Sequence, residues 1–116
     1  MGLMHDAHEA YVGDVSGPLK RLLPDYRKLE MEVAQSLRTR LGLPVIAPYL
    51  VDQIDKRMGL TEAIYFGLPT DDYSPDIEPI AGIGKDALRP LSESKMMALF
   101  QTRYKELTSN IPTSKA

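Results

Sequence analysis

The chain has 116 residues, which is enough for one compact domain and too few for two with separate hydrophobic cores. Its formal net charge of −2 comes from interspersed acidic and basic residues and gives no sustained positive field, so duplex nucleic acid is not expected as a partner. The absence of cysteine excludes disulfides and thiolate chemistry and favours the cytoplasm, and no apolar run approaches the roughly 20 residues that cross a membrane.

The first predicted element is a helix over Leu3 to Val12. It is too short to be stable alone, so tertiary packing must hold it. Gly13 is expected to end it as a left-handed cap, and Ser16-Gly17-Pro18 is typical of a turn. The residues expected to be buried on this helix are Leu3, Met4, Ala7 and Tyr11.

A longer helix is predicted from Pro24 to Leu41, where Gly42 ends it, because proline suits the first turn of a helix and apolar residues recur every three or four positions. The predicted buried stripe is Tyr26, Leu29, Val33, Leu37 and Leu41. The predicted solvent face carries Lys28, Glu32, Gln35 and Arg38.

The next helix is predicted from Pro48 to Phe66. Gly59 should weaken it by about 1 kcal/mol relative to alanine, and the close approach of a neighbouring helix would explain a glycine there. Its predicted inner residues are Leu50 or Val51, Ile54, Met58 and Tyr65.

The rest of the chain is predicted to be a loop, a helix and a tail. Residues 67–91 form a long loop rich in proline and glycine, Ser92 is the N-cap of a last helix, and 111–116 are a tail. With no alternating strand pattern anywhere, the sequence predicts an all-α fold of four or five helices in a single domain over 1–116.

Residues 5–14 crowd two imidazoles and three carboxylates into one short stretch. On a helix, residues three and four apart share a face, so His5 would neighbour His8 and Glu9, and Asp6 would neighbour Glu9. Mixed imidazole and carboxylate groups suit Mn²⁺, Co²⁺, iron, Mg²⁺ or Zn²⁺ in different geometries. The stretch is therefore a candidate site for a divalent metal ion.

The order of residues in this stretch also resembles a known family. HDAHEAYVGDV at 5–15, followed by PLK at 18–20, resembles the nucleotide-directed branch of the HD-domain metal-dependent phosphohydrolases, which includes bacterial 5′-deoxynucleotidases. PDYRKLE at 24–30, continuing to GLP at 42–44, and VDQIDKR at 51–57 are similar to later blocks of those proteins, with TEA at 61–63 as a weaker extension.

This resemblance implies an HD-domain-like helical bundle in which His5, Asp6 and Asp55 bind the metal ion. Members of that family carry a first metal-binding histidine upstream of the His-Asp pair, and this chain begins four residues before its own pair. The implied domain is therefore partial and truncated at the amino terminus. Hydrolase activity is expected only if the missing histidine is supplied.

The resemblance also assigns roles in hydrolysing a small nucleotide, a nucleoside monophosphate, by metal-activated water. Glu9 is implied as the proton-transfer residue, Asp14 as a catalytic and substrate-binding carboxylate, and Lys20 as a point charge toward phosphate. From the residues alone, solvation is the commoner outcome for a single glutamate such as Glu9 and for an exposed lysine such as Lys20, and Asp14 could be a turn residue.

Packing or surface roles are expected for His8 and Tyr11, and the role of Glu62 is open. The alternative to an enzyme is a catalytically inactive, truncated HD module that acts in self-association, as a homodimer, or in partner binding. A helix-turn-helix DNA reader has neither the charge nor a base-reading helix in this sequence.

Overall fold

The structure, a computed structural model, describes residues 1–84 and 86–109. Within these ranges the chain is all-α, with a short 3₁₀ helix at Gly2–Met4, five α-helices and no strand. The prediction of an all-α fold is confirmed, and the predicted tail at 111–116 lies outside the described residues. The five helices are α1 (Glu9–Val12), α2 (Gly17–Arg21), α3 (Pro24–Arg40), α4 (Tyr49–Phe66) and α5 (Glu93–Thr108).

The amino-terminal helix is shorter than predicted. Turns at residues 5–8 separate the 3₁₀ helix from α1, and the N–H groups of Ala7 and Glu9 donate to carbonyls three residues earlier, at 3.1 and 2.9 Å. Bonds of this 3₁₀ type are favoured in segments too short to sustain an α-helix. A continuous helix over Leu3 to Val12 is therefore wrong. The predicted burial of Tyr11 is also wrong. The Tyr11 side chain is 74% exposed, because His8 takes the buried position of this segment.

The long helices α3 and α4 begin and end close to the predicted residues. Gly42 follows α3 with φ +68°, and Leu43 N–H donates to the Arg38 carbonyl at 2.8 Å. Gly67 caps α4 with φ +66° in the left-handed region, and Leu68 N–H reaches back to the α4 backbone in the same way. Such glycine caps satisfy the last carbonyls of a helix.

The packing face of α3 differs from the predicted stripe. Short helices α1 and α2 pack on α3, and the one buried residue of α3 among the described residues is Ala34. Glu30 and Arg38, four residues to either side, are half-buried, whereas Leu29 and Leu41 are 52% and 41% exposed. The prediction is wrong for Leu29, Leu41 and Arg38 because α3 packs against a polar segment. The stripe residues found half-buried are Tyr26, Val33 and Leu37.

Residues 68–83, part of the predicted loop, pack along α4. Arg57 Nε donates to the Glu78 carbonyl at 3.0 Å, and the N–H of Ile80 donates to Thr61 Oγ1 at 2.9 Å. Tyr73 lies against Gly59, so a loop side chain makes the close approach that the sequence suggested for a helix. These contacts cover the buried residues of α4, which are Leu60, Thr61 and Ala63.

The predicted inner residues of α4 are only partly correct. Leu50, Ile54 and Tyr65 are exposed, whereas Val51 and Met58 are half-buried. The covering loop follows one side of α4 near its middle, so apolar residues at either end of the helix remain in contact with solvent.

The chain divides into two compact units, residues 1–83 and a second unit that begins at Gly84 and contains α5. In the second unit, Ser92 Oγ accepts the N–H of Lys95 at 3.3 Å, which confirms the predicted N-cap. Among the described residues, no helix is both long and apolar enough to span a membrane. All of the candidate site residues belong to the first unit.

Candidate metal centre

The three predicted metal ligands meet at one point. His5 Nε2 lies 2.9 Å from Asp6 Oδ2 and 3.0 Å from Asp55 Oδ1. Each residue offers one ligand atom, and the three atoms lie within 4.8 Å of one another. Asp55 comes from α4, whereas His5 and Asp6 are adjacent in the amino-terminal turns. The grouping therefore combines two segments that are distant in sequence.

The His5 ring is oriented by a second hydrogen bond. Its Nδ1 lies 2.7 Å from the carbonyl oxygen of Gly2, which can only accept, so Nδ1 carries a proton and Nε2 faces the carboxylates. Histidines that bind metals in proteins commonly donate their other ring N–H to a backbone carbonyl in this way. One imidazole nitrogen and two carboxylate oxygens are a donor set that fits a borderline or hard divalent cation.

The local charges act on the imidazole itself. Burial disfavours the protonated ring, but hydrogen bonds to Gly2 and Asp55 and the negative charges of Asp6 and Asp55 outweigh it and hold the pKa of His5 above its ordinary value. The Asp6 and Asp55 side chains are about half exposed. Water can therefore reach the open side of the grouping.

A cavity of about 1110 Å³ adjoins this grouping. Five of the six predicted site residues line it, namely Asp6, Glu9, Asp14, Lys20 and Asp55. Burial, followed by the charges of Asp6 and Asp14, raises the pKa of the Glu9 carboxyl. A carboxyl with a raised pKa holds its proton to higher pH, which suits it to proton transfer.

Lys20 is engaged by a carboxylate inside the cavity. Its Nζ donates to Glu30 Oε1 at 2.8 Å, and His8 Nε2 approaches the same oxygen at 3.4 Å. The hydrogen bond to Glu30 raises the pKa of Lys20. Lys20 therefore presents its charge from a fixed position, partly neutralised by Glu30. His8 has the buried packing role expected for it, and Glu62 also lines the cavity.

Two residues of this site were missed at the sequence level. Glu30 was not singled out, and Arg38 was assigned to solvent, yet both line the cavity. Arg38 Nη2 donates to the carbonyl of His5 at 3.3 Å, and its Nη1 donates to that of Val45 at 2.9 Å. Their spacing of eight residues, with the small Ala34 midway, was the signal available in the sequence.

Comparison with known proteins gives one significant relative. The chain is 36% identical over 106 residues, 91% of its length, to the "Uncharacterized protein YfdR" of Escherichia coli (strain K12). The chain spans about 60% of the length of that relative. No model of a protein family matches the sequence, and no solved structure matches it with statistical significance.

Proposed function

We propose that the protein is a metal-dependent phosphohydrolase that releases phosphate from nucleoside monophosphates when the first histidine of the family is supplied, with His5, Asp6 and Asp55 as metal ligands. The observation that carries the proposal is the convergence of these three side chains beside a cavity lined by the other predicted site residues. The resemblance of 5–20 and 51–57 to HD-domain phosphohydrolases supports the same assignment. The donor set is compatible with Mn²⁺, Co²⁺, iron, Mg²⁺ or Zn²⁺.

Hydrolysis of a phosphate monoester needs an activated water, neutralised phosphoryl oxygens and a protonated leaving group. A divalent cation, when bound, supplies the first two by lowering the pKa of water and offsetting negative charge. Glu9 supplies the third, because its raised pKa lets the carboxyl carry a proton to the leaving sugar oxygen. No covalent nucleophile is required.

The remaining cavity residues bind the substrate in this proposal. The carboxylate of Asp14 accepts hydrogen bonds from sugar hydroxyls or from the attacking water. The ammonium of Lys20, held by Glu30, attracts the phosphate as a point charge. The cavity, at about 1110 Å³, has room for a nucleotide. The proposal includes action in the cytoplasm, which the cysteine-free composition suits.

The direct test is phosphate release from a panel of deoxynucleoside monophosphates, with the first histidine of the family supplied on an upstream helix and with each of the five candidate metals in turn, Mn²⁺ and Co²⁺ first. We expect release from at least one nucleotide, loss of release with a chelator, and loss in Asp55→Asn. Asp52→Asn, on the same helix, is the matched control. No release from any nucleotide with any of the five metals would overturn the enzymatic proposal.

A second candidate function is supported by an apolar groove of about 340 Å³ on the other side of α3. Tyr11 and Leu29 line it and are exposed, beside the half-buried Val33 and Leu37. Exposed apolar patches of this kind often mark interaction sites. The alternative is thus a non-catalytic module that self-associates here. Light scattering tests it: a dimer that Leu29→Ser dissociates supports it, and a clean monomer contradicts it.

A further inference from the structure

A row of four residues on α3 faces the segment that carries the His5–Asp6 pair. Tyr26, Glu30, Ala34 and Arg38, called here the α3 row, are spaced four apart and so share one face of the helix. Glu30, Ala34 and Arg38 line the cavity, and Ala34 is buried. The row is mostly polar, yet it forms the side of α3 that packs against residues 5–13.

The α3 row contacts residues 5–13 in reverse order. Arg38 donates to the carbonyl of His5, and Glu30 accepts from the imidazole of His8. Tyr26 Oη donates to the carbonyl of Gly13 at 3.0 Å and that of Val12 at 3.2 Å. The amino-terminal segment therefore lies antiparallel to α3, with a polar contact about every four residues along it.

Residues 5–13 need such contacts because their own backbone provides little order. Turns at 5–8 and the four-residue helix α1 have few of the bonds that stabilise a continuous α-helix. Isolated helices shorter than about 12 residues are marginal in water. The position of the His5–Asp6 pair is therefore determined by what the segment packs against.

We propose that Arg38 is a positioning residue for the metal centre, which fixes the backbone of His5 so that its ring points at Asp55. The guanidinium joins two chain segments, because its Nη2 donates to the carbonyl of His5 at 3.3 Å and its Nη1 donates to the carbonyl of Val45 at 2.9 Å. Only arginine offers such a rigid fork, since the single ammonium of lysine cannot span both carbonyls with the same geometry.

The effect of Arg38 on metal affinity rests on the proposed function and is tested by calorimetric titration with Mn²⁺. Arg38→Met should weaken binding by about 10-fold or more, as is usual when a group that orients a ligand is removed. Arg38→Lys keeps the charge and one donor and should recover part of the loss. Arg40→Met, an exposed arginine of the same helix, should bind like wild type.

A metal-free measurement separates the two proposals. In alkaline buffer, ¹⁵N NMR of the neutral His5 ring should place the proton on Nδ1 in wild type, because Gly2 accepts it. Arg38→Met and Arg38→Lys should reduce that preference and speed amide exchange over residues 5–13, while Arg40→Met should not. If wild type binds none of the five candidate metals but this pattern holds, the proposed function fails and the positioning of His5 by Arg38 stands.

The same ring measurement can overturn the inference. If the proton position on the His5 ring and the Mn²⁺ affinity of Arg38→Lys both equal those of Arg40→Met, Arg38 has no positioning role. This conclusion holds whatever the activity of the protein. Arg38→Lys keeps the aliphatic stem and the charge, so the comparison remains decisive if circular dichroism finds Arg38→Met unfolded.

Discussion

His5 Nε2 lies 3.0 Å from Asp55 Oδ1, which joins the amino-terminal turns to the middle of α4 across 50 positions of sequence. Asp6 approaches the same nitrogen from the adjacent position at 2.9 Å. Two carboxylates converge on one imidazole nitrogen whose ring is already held by Gly2. Such an arrangement is an ion pair when the ring is protonated, and under the proposed function it holds the cation when the ring is neutral, with Asp55 taking part in both.

Removal of the Asp55 charge should weaken metal binding. Asp55→Asn keeps the size of the side chain but loses an anionic ligand, so the dissociation constant for Mn²⁺ should rise by at least about 10-fold in calorimetric titration. Asp52→Asn is the control, because Asp52 lies on the same helix and pairs with Lys56 at 2.8 Å. Equal affinity in the two variants would exclude Asp55 as a ligand.

Glu9 should affect turnover rather than metal binding. Glu9→Gln cannot donate or accept the proton, so kcat for nucleotide hydrolysis should fall by about 100-fold to 10,000-fold. The Mn²⁺ dissociation constant should stay within a factor of two of wild type, on the order of experimental error, because the three proposed ligands are intact. Glu32→Gln, on the exposed side of α3, provides the control. An unchanged kcat in Glu9→Gln would exclude Glu9 as the proton-transfer residue and leave it as a solvated carboxylate.

Glu30 should make the first unit sensitive to acid. Burial opposes its ionisation, but the hydrogen bond and charge of Lys20, with a smaller contribution from His8, hold the pKa of Glu30 below its ordinary value of 4.5. A carboxyl with a lowered folded pKa adds stability that is complete above 4.5 and is lost as the pH falls through the folded value. Urea unfolding at a series of pH values should therefore show a decline below pH 4.5.

The matched variant for this decline is Glu30→Gln. It removes the titrating group, so the dependence on pH below 4.5 should flatten relative to wild type. At neutral pH it should cost about 1 kcal/mol in the free energy of unfolding, because Lys20 loses its charged partner. Glu32→Gln should keep the wild-type pH profile. A profile for Glu30→Gln that parallels wild type would show that other groups cause the acid sensitivity.

Residue patterns predicted the bounds of the long helices better than they predicted which faces of those helices are buried. Gly42 indicated where α3 ends because a backbone with positive φ favours glycine. Apolar periodicity misassigned the buried face of α3, since periodicity detects only faces that pack against apolar surface. Arg38 and Glu30 instead bind backbone and imidazole atoms of residues 5–13, and no hydrophobic pattern identifies such contacts.

The packing of the 68–83 loop on α4 was also beyond prediction, since Arg57 and Thr61 bind its backbone, which carries no residue signature. Asp55 was singled out because the sequence at 51–57 resembles a block of the HD-domain family, and the structure brings it within 3.0 Å of His5. Motifs therefore located the proposed ligands, while the residues that orient them became visible only in three dimensions.

Gly59 offers a test of how closely that loop packs on α4. A Cβ added at this position would lie 3.0 Å from Tyr73 Oη and 3.5 Å from the nearest ring carbon. Alanine stabilises a helix by about 1 kcal/mol relative to glycine, so Gly59→Ala should gain less than that, because the hydroxyl must move away. In a Tyr73→Phe background the obstruction is gone, and Gly59→Ala should recover the full gain. Thermal unfolding of the two single variants and the double variant measures this coupling. Strict additivity would show that Tyr73 does not contact Gly59 in solution.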